Sequence, residues 1–550
     1  MTRRYSFTLV ILLTSLQMFT SHVFAGGTPK FNPEQAVDRI IASERALSTT
    51  MRSYSPMVET YLQRMQPDAT LGFVPSEDRY FLGRVQFQQA KEEFYLDKRL
   101  VERMAGSFSR LYSLSPVGFS SMIFVDRTGF DRKNYQLRYM QSEFLGEVRC
   151  LVFEVSPRKD KVSPRKDKDA GRFKGAIWVE DNGYNIVRFN GSYGTFHIDS
   201  WRMNLRAGVW LPAVVYSEEF DSNKPQTQDP RLKAQTRIWG YNLGPRRESE
   251  FAEITVDPQA AKDLSENPDQ SPLEIQRSWQ RRAEDNVIIK LEELGLIVPE
   301  GEVDKVLQTV ITNLEVTNKI VLDPEVRCRI IPTTPIEVAT IGHTILISRG
   351  LLDALPNEAA LAVILAHALA HAALGHELDS SFAFNDRMVV PSLQQLPLFD
   401  FKHTREQERE ADALGLKILV NSPYKDNLAE AGLFLKALAK YGRKVPNLTK
   451  ANLGESLVID NRISFMGSVA DAAPVLELDN PQQIAALPLG SRVKLDPWAG
   501  QLKFVKARPP RIYSPKDKLA LEVTPFSPYL VRLKPAGAIT GSLQDSNQER

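Results

Sequence analysis

The sequence predicts an α+β multidomain protein. It should carry an N-terminal antiparallel β region, a central mainly helical region and a small C-terminal β-region. Three observations predict this. From about Tyr80 to Leu243 apolar residues recur with period two, the spacing of half-buried strands. Residues 359–378 form an Ala/Leu-rich run of helical character. At 550 residues the chain exceeds what one hydrophobic core usually organises.

Taken in order, Arg3 and Arg4 precede a short apolar stretch, Phe7 to Leu16, and Val23-Phe24-Ala25 precedes Gly26. This is the pattern of a secretory signal peptide over residues 1–25, cleaved near Ala25. The expected mature chain is exported, to the periplasm or the extracellular space. A single membrane anchor is the alternative, but Thr14, Ser15, Gln17 and Thr20 interrupt the run. No cysteine follows it, so a lipid-anchored N-terminus is not expected. Peripheral membrane contact stays open. The net charge of +2 gives no global signal for nucleic acid.

Residues 26–251 are expected to form the β-rich region, introduced by a helix. Asn32-Pro33-Glu34 combines a cap, a first-turn proline and an acid, and Val37, Ile40, Ile41 and Leu47 follow at helical spacing. "FKGAIWVE", Asp181-Asn182-Gly183 and "YNIVRFNGSY" predict a β-hairpin. "GVWLPAVVYSEEF" and "AQTRIWGYNL" continue the strands. Strand order and motifs such as "GAIWVEDNGYNIVRFNG" and "VWLP" make this region similar to the half-barrel of LolA-like lipoprotein carriers. That resemblance implies an apolar concavity for an acyl chain, a lipoprotein or a peptide. A structural β-domain without ligand is the competing reading. The immediate repeat of Val155–Lys161 as Val162–Lys168 reads as a lengthened solvated loop. Cys150 and Cys328 sit in separate strand-like runs and are expected to be buried thiols rather than a disulfide.

Residues 252–272 are acidic, polar and proline-containing, and read as a linker. Region 273–480 then carries helical patterns, the short strands "RCRIIPT", "IEVATIG" and "HTILISRG", and the Ala/Leu helix. On that helix His367 and His371 stand four apart, so both project from one face and can hold one metal ion. A second helix within "HTREQEREADALGLKIL" places Glu408 and Asp412 four apart. Glu408 suits a third ligand, and Asp412 suits a carboxylate that fixes an imidazole tautomer. A bland alternative is a histidine pair at a core edge. Five of the seven histidines (His343, His367, His371, His376, His403) fall in this stretch.

"LISRGLLDALPNEAALAVILAHALAHAALGH" followed by "REQEREADALGLKIL" resembles the zinc endopeptidase family of the CAAX prenyl protease, HtpX and their soluble periplasmic relatives. The matching positions are Gly342, Gly350-Leu351-Leu352, Glu358, His367, His371, Gly375-His376, Glu408, Ala411-Asp412 and Gly415. The resemblance covers about 280 to 470. It implies a zincin-type metallopeptidase domain with one Zn2+ held by His367, His371 and Glu408, and Asp412 behind them. It also implies a substrate strand, Ala339, Thr340, Ile341, Gly342 and His343, that pairs with extended or unfolded polypeptide. Two departures matter. The family's H-E-x-x-H glutamate is Ala368 here, so the general base is missing. Asn461-Arg462-Ile463 keeps an Arg-Ile, with Arg462 a candidate near the cleft, but the preceding His-Pro is absent.

General acid–base catalysis contributes about 10²–10⁴-fold, and alanine can neither take nor return a proton. The expected function is therefore an exported, zinc-binding but impaired or inactive peptidase that binds extended polypeptide. An active metalloendopeptidase with an unconventional base, Glu410 or Glu377, is one alternative. A lipid or lipoprotein carrier acting through the N-terminal region is the other. Residues 481–540 read as a small β-region around Asp496-Pro497-Trp498-Ala499-Gly500, and 541–550 as a polar tail.

Overall fold

The computed structural model of the chain describes residues 32–68, 72–87, 91–94, 122–126, 129–145, 147–158, 172–220, 230–241, 272–355, 357–376, 401 and 403–428, together with positions between 431 and 456, and 493–496 and 501–504. The expected signal peptide, most of the repeated loop, all but the end of the linker, Arg462, Glu377 and the C-terminal tail lie outside them.

The chain enters through α1 (Pro33–Thr50). Asn32 caps it by accepting the Glu34 N–H at 3.0 Å. The predicted apolar stripe is the buried one, with Val37, Ile40, Ile41 and Leu47 all covered. Burying each contributes about 1.5–3 kcal/mol.

Ten strands follow in one antiparallel sheet. They are β1 (Met57–Asp68), β2 (Gly72–Gln86), β3 (Lys91–Phe94), β4 (Tyr135–Leu145), β5 (Val148–Pro157), β6 (Phe173–Glu180), β7 (Ile186–Tyr193), β8 (Phe196–Arg206), β9 (Val209–Phe220) and β10 (Pro230–Trp239). Their order is β3-β2-β1-β10-β9-β8-β7-β6-β5-β4, so the first strands pair with the last and the sheet stays open at β3 and β4. α1 packs one face: Val37, Ile40 and Ile41 meet Tyr135, Phe153, Phe173, Ile177, Phe189 and their neighbours. A buried ion pair fastens it, Glu44 to Arg202 at 2.8 Å, with both side chains 2% exposed. Arg202 also donates to the Ile186 carbonyl and Glu44 accepts the Val125 N–H. Elsewhere on the sheet Arg188 lies between Trp178 and Trp201, 4.6 and 4.5 Å from the ring centroids, and forks onto Asp199.

The second half supplies α2 (Pro272–Glu293), α3 (Glu302–Asn318), β11 (Arg327–Ile331), β12 (Glu337–Ile341), β13 (Thr344–Ser348), α4 (Arg349–Ala354), α5 (Glu358–Ala373), α6 (Arg405–Val420) and β14 (Glu455–Ser456). Four strands form a small mixed sheet in the order β11-β13-β12-β14, with β11 parallel to β13. A hairpin of β15 (Val493–Asp496) and β16 (Gln501–Phe504) falls within the stretch expected to hold a C-terminal β-region, the rest of which lies outside the described residues.

Both halves share one core. Alternation along β1 divides its residues: Met57 and Tyr61 join Val287, Leu291, Leu307, Ile336 and the α5 side chains, whereas Val58 packs with Leu47 of α1 and with Met51 just past its end. Polar contacts close the junction. Glu59 accepts the Thr334 N–H at 2.6 Å and the Thr334 hydroxyl at 2.8 Å, and pairs with buried Arg237, which also reaches the Pro332 carbonyl. Asp78 of β2 accepts the Asn447 side-chain amide at 3.0 Å and the Leu448 N–H at 2.8 Å. The N-terminal sheet is thus built into the structure that carries the histidines. Cys150 and Cys328 are free and buried, as expected.

Candidate metal centre

Two helices carry the site. α5 starts where Asn357 caps the Ala360 N–H at 2.9 Å, with Glu358 in the first turn. Every residue from Ala359 to Ala372 is buried, so α5 is a core helix and not an amphipathic surface one. α6 begins with a capping box: Thr404 accepts the Gln407 N–H and the Gln407 side chain accepts the Thr404 N–H. Ala411, Gly415, Ile418 and Leu419 form its buried stripe. At Gly415 the helices nearly touch, because a Cβ there would stand 3.2 Å from the His367 Cα.

This approach brings the predicted ligands together. His367 Nε2 and His371 Nε2 are 3.0 Å apart. The Glu408 carboxylate stands 3.4 Å from each of them, one oxygen per nitrogen. A tetrahedral zinc ion with bonds of about 2.0–2.1 Å separates its donors by about 3.3 Å, so the triangle fits the group. Burial pushes the His371 pKa down to about 3, which keeps the ring neutral and its lone pair available. His367 is 7% exposed and His371 1%.

The outer nitrogens are also occupied. Asp412 Oδ1 lies 2.9 Å from His367 Nδ1, a close contact whose approach is oblique for a hydrogen bond. His371 Nδ1 lies 2.9 Å from His376 Nδ1, and His376 Nε2 lies 3.3 Å from Glu410. His403 stacks on His371 with ring centroids 3.9 Å apart. The sequence reading missed what His376 and His403 do here. The Leu374-Gly375 helix stop was the one local signal for the position of His376.

Ala368 is 1% exposed and packs in the shared core. Of the two surrogate bases, Glu410 faces His376 and Glu377 lies outside the described residues. The predicted substrate strand is β12 with its turn. β14 pairs with it at Glu337 and Val338. Ala339, Thr340 and Ile341 have no strand partner on that flank among the described residues. Gly342 and His343 form the turn into β13, and His343 Nδ1 pairs with Glu284 of α2 at 3.3 Å, outside the histidine cluster.

Residues 338–450 match the family model of Peptidase family M48. The M48 match contains all three candidate ligands, Ala368 and Asp412, and bears out the resemblance drawn from the two helix motifs. No curated protein matches the chain. Among solved structures, one assigned as an outer membrane lipoprotein-sorting protein domain from Vibrio parahaemolyticus is 11% identical, with a TM-score of 0.21 and coverage of 42% of this chain and 99% of that one. A DUF1329 family protein from Desulfovibrio piger is 9% identical, with a TM-score of 0.19 and coverage of 39% and 94%. A LolA superfamily protein from Nitrosomonas europaea is 11% identical, with a TM-score of 0.18 and coverage of 36% and 91%. An open recess of about 450 Å³ lies on the large sheet, lined by Ser192, Gly194, Thr195, Phe196, His197 and Phe220, and contains none of the candidate ligands. No helix among the described residues is long and apolar enough to cross a membrane.

Proposed function

We propose that this protein is an exported relative of the M48 peptidases that keeps a zinc site but has lost efficient peptide cleavage, and that it holds extended polypeptide. One observation carries the reading: the donor triangle of His367, His371 and Glu408 stands beside Ala368, where a general base would sit. The two ligand helices beside a small sheet support a zincin-type reading of this region.

A zinc ion held there would polarise a scissile carbonyl and acidify water. The chain's own groups do the rest. Asp412 and His376 hold the two imidazoles from behind. Glu408, Glu410 and Asp412 each face a histidine, so none of these carboxylates is left to shuttle a proton. The flank of β12 beyond Val338 offers backbone groups to an extended chain by strand addition. Export rests on the pattern of residues 1–25.

The test is metal analysis of the mature chain, with a cleavage assay on an unfolded polypeptide. One zinc per chain is expected in the wild type, lost in His367→Ala and in Glu408→Ala, with little chelator-sensitive cleavage. Absence of zinc from the wild type would refute the site. Vigorous cleavage abolished by chelator and by His367→Ala would establish the active-enzyme alternative instead.

A further inference from the structure

His371, His376 and His403 form a second compact trio of possible donors next to the first. It is a poor chelate. The His371 and His403 rings stack with 19° between their planes, so their in-plane lone pairs run side by side instead of converging. The trio must serve another purpose, and the hydrogen bonds show which.

α5 ends in a left-handed turn. Gly375 has φ +67, the His376 N–H returns to the His371 carbonyl at 3.1 Å, and the Gly375 N–H returns to Ala372 at 3.1 Å. This pair of bonds folds residue 376 back over the last turn. It delivers His376 Nδ1 to within 2.9 Å of His371 Nδ1. One of two facing imidazole nitrogens must carry the hydrogen. His371 Nε2 faces the Glu408 carboxylate and His367 Nε2, and an ion held at that triangle would take its lone pair, so the hydrogen would then belong on Nδ1. His376 Nδ1 is then the acceptor, its own hydrogen sits on Nε2, and that N–H points to Glu410 at 3.3 Å. His376 is 7% exposed, whereas the Glu410 side chain is 56% exposed.

We propose that His376, anchored by Glu410, is a positioning residue: it accepts the Nδ1–H of His371 and so fixes the tautomer and ring orientation that leave His371 Nε2 free for the metal. Each candidate histidine ligand is thereby backed by a carboxylate of α6. For His367 it is Asp412 directly, and for His371 it is Glu410 through an interposed imidazole. Partners of this kind typically change metal affinity by about 10–100-fold. The inference rests on the zinc reading above.

The experiment measures Zn2+ affinity of the mature full chain by competition with a chromogenic chelator, and the melting temperature of each metal-free protein. His376→Ala should weaken zinc binding by about 10–100-fold. His376→Asn, whose side-chain oxygen can accept the same hydrogen, should recover most of the loss. Glu410→Ala, at an exposed side chain that threatens no core, should weaken binding several-fold. A lower metal-free melting temperature with zinc affinity unchanged would mark His376 as merely structural and overturn the proposal. So would an unchanged affinity in Glu410→Ala if His376→Ala fails to fold. A wild type that binds no zinc fails the site itself, which separates that outcome from failure of the positioning role.

Discussion

Gly415 on α6 lies against the backbone of His367 on α5, where a Cβ would stand 3.2 Å from the His367 Cα and 3.3 Å from its nitrogen. The neighbours it would meet are helix backbone, which cannot swing aside as a side chain can. Gly415→Ala should therefore push α6 outward and carry Glu408 and Asp412 with it. Overpacking of this kind costs about 1–3 kcal/mol. Urea denaturation of the metal-free chain should show that loss, and zinc affinity should fall in the same variant.

Metal removal should lower stability in proportion to occupancy. A ligand present at 1,000 times its Kd stabilises the folded state by about 4 kcal/mol. Adding chelator should reduce the melting temperature of the wild type and leave His371→Ala unchanged, because that variant lacks a donor. A scanning thermal melt with and without zinc reads both.

The Glu44–Arg202 pair should be worth far more than its surface counterparts. Both partners are 2% exposed, so Glu44→Ala leaves a buried guanidinium without its charge partner. Breaking such a pair costs about 3–5 kcal/mol. Arg132 pairs with Glu34 and Asp38 in the open, at 2.7 and 2.6 Å, and Arg132→Ala should stay within about 1 kcal/mol. Denaturation of the two variants side by side makes the comparison.

Asp78 should give a pH signature at the junction. Burial raises its carboxyl above the usual 3.8, against the lowering effect of the Asn447 and Leu448 hydrogen bonds. Its folded form holds a proton more tightly than the unfolded chain. Its contribution to stability is therefore full below 3.8 and is lost as pH rises through the folded value. Asp78→Asn should remove that component, so wild-type stability relative to the variant should decline across the window. Equilibrium unfolding at a series of pH values checks the sign.

The sequence discloses these features unequally. α1 was legible because Asn32, Pro33 and Glu34 act locally, and its buried stripe is the predicted one. The hairpin of β6 and β7 was legible too, but its turn differs. The left-handed residue is Tyr184 at φ 61, and the Glu180 carboxylate organises the loop by accepting N–H groups of Asn182, Gly183 and Asn185. Side-chain capture of a loop is hard to read from dipeptide preference alone. His367, His371, Glu408 and Asp412 were readable because spacing of four on a helix fixes a shared face. The contact of His371 with His376 required the Gly375 turn, and the His403 stack required tertiary packing. Pairing of β1 with β10, and the Asp78–Asn447 contact across 369 residues, leave no local trace. The β12 flank shows the same limit, since β14 arrives from more than a hundred residues away to cover Glu337 and Val338.

If only proton transfer is missing from an otherwise intact metal site, zinc content and unfolded-polypeptide cleavage of the wild type and Ala368→Glu test it most directly. Zinc should be equal in both, and chelator-sensitive cleavage should rise by about 10²–10⁴-fold in the variant. A variant that holds zinc yet cleaves no faster than the wild type would contradict the account.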